Sequence, residues 1–410
     1  MKQSSHKIIH FEKLAYCSFG KRPIMSMNNP SKKVAFVGIA TAFSLLGDQV
    51  LYSVLPVYFH ELGLLPIQVG LILSVNRWVR LITNHFAHHM VQRFRSDVLF
   101  VGALLLGSLT TALYIFASLF SLLLAARLLW GLAWSFIRHI GVLEIMQDVP
   151  DNVSGRTMGF YNGISRLGSV VGLFGGALLV DLFGFSNAIL SIALVSLLAI
   201  PIGVKARLPS RPMFIRTAMP TSKTMGKLGL YPVIGFALGV VGPGLVMASL
   251  GAVLLDRLGT TTATISAATL TGTVLAVRYV LDSLAAPWLG GLSDRFGIRS
   301  TVVGFMAIGG AALILAASAN NIFLVVVLTI LFFAMGTALQ AGVTGAVSQL
   351  GSGHFRYYIT AMDFGAACGP LLGWWLMDVL KMEVAAIALG GVIYLGIAIL
   401  VASMRADRVF

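Results

Sequence analysis

The chain reads as long apolar runs separated by short polar turns, a rhythm kept from residue 34 almost to the end. About twelve runs stand out, each near the ~20 residues that a helix needs to cross a bilayer's hydrocarbon layer. They fall at 34–58, 66–91, 98–117, 119–143, 157–181 and 185–204, then at 229–254, 261–289, 299–318, 321–350, 357–380 and 384–404. A dozen helices with almost no polar face do not make a water-soluble core. The pattern therefore predicts an all-α membrane protein of twelve transmembrane helices. The polar stretch 205–228 splits the runs six and six. The expected organisation is a basic tail (1–32), a six-helix bundle (33–204), a basic linker (205–228), a second six-helix bundle (229–404) and a short tail (405–410).

The two halves echo each other. The fifth run carries Gly168, Gly172 and Gly176, with Asp181 beyond, and the eleventh carries Gly365, Gly369 and Gly373, with Asp378 beyond. Each pair is 197 residues apart (365 − 168, and likewise for the others). Arg93-Phe94 matches Arg295-Phe296 at 202 residues, the drift being a loop-length difference. Such a repeat predicts two pseudo-symmetric bundles with a cavity between them.

Composition agrees with lipid as the solvent. Hydrophobic residues make up 57% and charged residues 11% of the chain, and the mean hydropathy is +0.89. A soluble domain carries about 25% charged residues. A net charge of +14 would suit a nucleic-acid binder, but its placement does not. Seven Lys/Arg precede residue 34 and six lie between Lys205 and Lys227, beside membrane runs, and no aromatic-interleaved basic module is present. The turns near Arg93/Arg95, Arg156, 205–227, Arg295/Arg299, Arg356 and Arg405/Arg408 are basic, whereas the opposite turns hold only Arg257 and Lys381. By the positive-inside rule both termini are expected in the cytoplasm. Residues 1–32 have no apolar core for a cleavable signal, and Met25 or Met27 is an alternative start to Met1. Cys17 and Cys368 give no disulfide framework and no metal spacing.

The turn after the eighth run reads Gly290-Gly291-Leu292-Ser293-Asp294-Arg295-Phe296-Gly297-Ile298-Arg299. This G-x-L-x-D-R-x-G-x-R pattern resembles the loop signature of the major facilitator superfamily of membrane transporters. The resemblance implies that Gly290, Asp294, Arg295, Gly297 and Arg299 form a latch that stabilises one state of a transport cycle. Its first-half counterpart, His88 to Arg95, keeps Arg93 but has Gln92 where the family has Asp, so a weaker latch is expected there. Asn76-Arg77-Trp78-Val79-Arg80 with Asn84 resembles the family's second helix. Arg127 with Gly131 resembles its R-x-x-x-G fourth-helix pattern, whose arginine is linked to proton coupling. The glycines of the fifth helix resemble the motif associated with antiporters, with Leu173 in place of its proline; the eleventh run keeps Pro370. Gly168, Gly172, Gly365, Gly369 and Pro370 are therefore expected bend points.

Charges inside apolar runs are expensive and mark function or a partner. Asp48, midway along the first run, is the expected proton carrier, with Arg127 tuning it. A permanent ion pair of Asp48 with Arg77 or Arg80 is the alternative. Trp130 and Trp134 follow Arg127 at helical spacing and are expected to line it. Arg278 and Asp282, four apart, are expected to pair within their helix, and Arg166 and Arg80 to reach headgroups. Tyr52, Arg77, Trp130, Trp134 and Asn162 from the first half, with Arg278, Gln340, Thr344 and Asp363 from the second, are the expected cavity lining. His85, His88 and His89 sit at a helix end without acidic or cysteine partners, so no metal is expected there.

Together these readings imply a proton-coupled secondary transporter of a small organic molecule, with export favoured by the resemblance. It would be multi-pass, monomeric and set in a bacterial cytoplasmic (inner) membrane, with substrate, protons and lipid as partners and no cofactor. Uptake of an organic anion or metal chelate is the rival within transport, and a transport-dead scaffold or receptor the rival outside it. No P-loop, G-x-S-x-G or H-E-x-x-H pattern is present, so enzymatic chemistry and direct use of ATP are not expected.

Overall fold

The computed structural model describes residues 32–148, 151–210, 212, 229–259, 263–285, 288, 291 and 295–404. Both tails, most of the linker, and Gly290 and Asp294 of the glycine-rich turn lie outside the described residues. Within them every regular element is helical. The helices line up as twelve rods: α1 (Lys32–Tyr58), α2 (Pro66–Arg93), α3 (Ser96–Phe116), α4 (Phe120–Asp148), α5 (151–183), α6 (Phe185–Lys205), α7 (Tyr231–Leu258), α8 (Ala263–Leu284), α9 (Ile298–Ser318), α10 (Ile322–Gln349), α11 (Ser352–Leu380) and α12 (Ala385–Ser403). Nine are long and apolar enough to cross a membrane by length and composition. The other three, α2, α8 and α11, have similar lengths but carry Arg77 and Arg80, Arg278 and Asp282, and Arg356 and Asp363.

Burial sorts the rods by role. The apolar windows of α1 and α7 are 78% and 89% buried, against 39–44% for the other seven membrane-grade rods. Each half is thus built around its first helix. The outer rods expose large side chains such as Leu105, Leu194 and Ile399. An apolar belt of this kind is stable against lipid and not against water.

Glycine sets how closely the rods approach. A Cβ at Gly168 of α5 would meet the Ala42 carbonyl of α1, and one at Gly172 the Leu46 carbonyl. In the second half, a Cβ at Gly365 of α11 would meet the Phe236 carbonyl of α7, and one at Gly369 the Cα of Gly244. The 197-residue repeat is therefore a repeated backbone-on-backbone packing of α1 with α5 and of α7 with α11. We expect Gly168→Leu and Gly365→Leu each to destabilise the purified protein by about 1–3 kcal/mol through overpacking. Gly163→Leu, with open space within 4 Å, is the control. Thermal unfolding in detergent reads the difference, and three equal midpoints would refute the close-packing account.

Two rods contain π turns, Val171–Gly175 in α5 and Val240–Val246 in α7, the second around Pro243, which lacks an N–H. The first arises without a proline. There the Leu173 carbonyl lies 3.0 Å from the Ser53 hydroxyl, and Gly272 of α8 packs directly on it.

The halves meet most closely at the end away from the basic turns. Asp181 of α5 accepts from the Tyr58 hydroxyl of α1 (2.8 Å), and from the Thr269 hydroxyl and backbone N–H of α8 (N–H contact 3.1 Å). Phe59 meets Trp374 of α11 edge-on at 5.1 Å, and a Cβ at Gly70 of α2 would touch Trp374 and the Pro370 carbonyl.

Candidate functional site: a cavity between the two halves

Between the halves lies a cavity of about 440 Å³, walled by α1, α2, α4 and α5 on one side and by α7, α8, α10, α11 and α12 on the other. It reaches from Asp48 and Tyr52 towards Arg138, Val142 and Met158, on the side of the basic turns. The polar positions of the least apolar rods point inward, which explains why α2, α8 and α11 fall below lipid grade.

Asp48 and Arg127, singled out separately in the sequence, meet. Arg127 Nη1 donates to Asp48 Oδ1. The carboxylate also accepts from Gln49 Nε2 (2.8 Å) and Asn76 Nδ2 (3.2 Å), and it is 6% exposed, on the cavity wall. Arg127 is fully buried behind it and donates through Nε to the Ile72 carbonyl (3.1 Å). Arg127 Nη2 has no partner. The alternative pairing of Asp48 with Arg77 or Arg80 is not formed. A guanidinium this deep depends on its one carboxylate.

Several expectations are corrected by packing. The aromatic face beside Arg127 belongs to Tyr52, 5.8 Å from its guanidinium carbon and 5.5 Å from that of Arg77. Trp130 and Trp134 instead stack on each other (6.1 Å) as part of the cavity wall. Arg278 does not pair with Asp282. Asp282 binds Arg166 of the other half (2.7 Å) and accepts from Thr337 (2.5 Å), so Arg166 is a cavity residue and not a headgroup residue. Arg278 lies over the rings of Tyr279 and Phe333, with Met247 Sδ 3.4 Å from Nη1. Arg80 also lines the cavity.

Asn162, Gln340 and Asp363 line the cavity as expected, but Thr344 sits behind it, 3.4 Å from the Tyr358 hydroxyl. Arg77 lines it too, yet its Nη1 donates to the carbonyls of Pro243 (2.9 Å) and Ala366 (2.7 Å), both in the second half. Arg138 was missed, although it continues the stripe 127, 130, 134, 138 at helical spacing along α4.

Outside the cavity, Arg299 donates to the Ala402 (2.9 Å) and Met404 (2.5 Å) carbonyls at the end of α12. Gly297, with φ +77°, caps α9, while Arg295 and Arg93 are exposed. His139 of α4 joins the histidines of α2, 5.3 Å from His88 between ring centres. Among the described residues no group of three His, Cys, Asp or Glu could hold a metal.

Comparison with known proteins agrees with this architecture. The Major Facilitator Superfamily matches residues 37–220. The multidrug resistance protein MdtG of Rahnella sp. is 26% identical, over 83% of this chain and 85% of its own. The probable vesicular acetylcholine transporter-B of Danio rerio is 25% identical, over 53% of this chain and 46% of its own. Among solved structures, a bacterial homologue of the human lysosomal transporter Spinster, in an inward-facing and occupied conformation, aligns with a TM-score of 0.73. It is 15% identical and covers 92% of this chain and 97% of its own. The nucleoside transporter NupG aligns with a TM-score of 0.66 at 11% identity, over 91% and 98%. By its fold, its inward-turned charges and these matches, the chain is a multi-pass membrane transporter of small molecules that belongs to the major facilitator superfamily.

Proposed function

We propose that the protein exports a small organic molecule across a bacterial cytoplasmic membrane in exchange for protons, by alternating access around the central cavity. The observation that carries this reading is the Asp48–Arg127 pair. Its carboxylate faces the cavity while its arginine is walled in behind. Protonating Asp48 leaves Arg127 without a counter-charge, so proton binding and a rearrangement of this wall are energetically linked. The resemblance to MdtG favours export, and that protein's name says multidrug resistance.

Basic turns on one side put both termini in the cytoplasm. On that reading the cavity faces inward, and the Asp181, Trp374 and Arg77 contacts seal the outer end. Gly168, Gly172, Gly365, Gly369 and Pro370 are the flexing points, and Arg93, Gly290, Asp294, Arg295, Gly297 and Arg299 steady one state. The protein works as a monomer, since a complete cavity is formed within one chain.

Inside-out vesicles with an imposed pH gradient test the proposal. A substrate is expected to collapse the gradient in wild type and not in Asp48→Asn. Transport that persists without proton movement would overturn the coupling, and no flux of any compound would leave a scaffold as the better reading.

A further inference from the structure

We propose that the cavity selects amphipathic organic anions, with a carboxylate or phosphate held by Arg80, Arg138 and Arg278 and an aromatic body on the surrounding rings. The inference rests on the transport reading of the same cavity and adds the substrate's charge. Five arginines line the cavity (Arg77, Arg80, Arg138, Arg166 and Arg278) against three aspartates (Asp48, Asp282 and Asp363). Two of the aspartates are already neutralised, Asp48 by Arg127 from behind the wall and Asp282 by Arg166. Counting Arg127, six positive charges face three negative, a balance of 6 − 3 = +3.

The surplus is located on identifiable groups. Arg77 is held by two carbonyls. Arg80 and Arg138 form no hydrogen bond or ion pair among the described residues, and Asp363, the remaining acid of the cavity, pairs with neither. Arg278 has only a thioether and two ring faces. Guanidinium groups inside a membrane without acceptors are costly, and each offers a planar fork that fits a carboxylate or phosphate. Trp134, Tyr279, Phe333 and Tyr394 supply the apolar wall. A cationic amine would enter against like charge, so the amine and acetylcholine specificities named for distant relatives are not expected here.

The test is equilibrium binding to the full chain in phosphatidylcholine nanodiscs, with 1-naphthoate, 1-naphthyl phosphate and the cation 1-naphthylmethylamine as probes of one size. The two anions are expected to bind and the amine not. Arg278→Gln and Arg80→Gln are each expected to weaken anion binding by about tenfold to a hundredfold, the loss of charge-assisted hydrogen bonds. Unchanged elution as a single species shows that the variants fold. Preference for the amine, or anion binding indifferent to Arg80, Arg138 and Arg278, would overturn the proposal. So would competition by phosphatidylglycerol in the nanodisc, which would make a lipid headgroup the occupant. Anion binding without proton-linked flux would keep the substrate class and remove the coupling reading. Proton-linked flux of an amine without anion binding would do the opposite.

Discussion

Asp48→Asn is expected to cut proton-coupled transport to about a hundredth of wild type or less, because a side chain locked in its neutral form cannot alternate between paired and unpaired states. The same change should also cost stability. Arg127 is fully buried and Asp48 is its one carboxylate, so the variant strands a charge in the protein interior. Removing one partner of a buried pair costs about 3–5 kcal/mol, whereas replacing both by neutral groups is often close to neutral. The double variant Asp48→Asn/Arg127→Gln is therefore expected to recover most of the lost thermal midpoint while transport stays absent. Unfolding curves beside vesicle proton fluxes separate the two effects. Recovery of flux together with stability would show the pair to be structural only.

Arg77→Met is expected to open the outer seal. Pro370 has no N–H, so the carbonyl four residues back, Ala366, has no helical partner. Arg77 of α2 supplies one, and the same nitrogen reaches the Pro243 carbonyl in the π turn of α7. One side chain of the first half thus closes two backbone gaps in the second. Hydrogen bonds from a charged donor contribute about 1.5–3 kcal/mol each, enough to shift a two-state equilibrium by roughly tenfold to a hundredfold. Spin labels at Glu61→Cys and Glu383→Cys, both exposed at that end, in a background freed of Cys17 and Cys368, report the result. A longer-distance population is expected in Arg77→Met and a smaller one in Arg77→Lys, which keeps the charge without the fork. An unchanged distribution would reduce Arg77 to a local cap of α11.

The sequence by itself determined what depends on neighbours along the chain. Twelve runs of membrane length follow from local hydropathy, and the glycines at 197-residue separation predict equivalent packing in the two halves. Asp48 and Arg127 could be picked out because a charge in an apolar run demands a partner. Even the inward side of α4 was readable, since 127, 130, 134 and 138 share a face, although Arg138 itself was passed over. Partner identity was not readable, because helical periodicity says which face a residue occupies and not which helix lies opposite. Arg278 and Asp282 have the spacing of a local pair, yet the crossing of α5 with α8 brings Arg166 to Asp282 and leaves Arg278 over aromatic rings. Arg77 looks like a substrate residue in its own helix, but two prolines more than 160 residues away leave the carbonyls that hold it. Those assignments depend on backbone approaches that only glycine permits, and tertiary structure decides them because the groups involved are remote in sequence and adjacent only after packing.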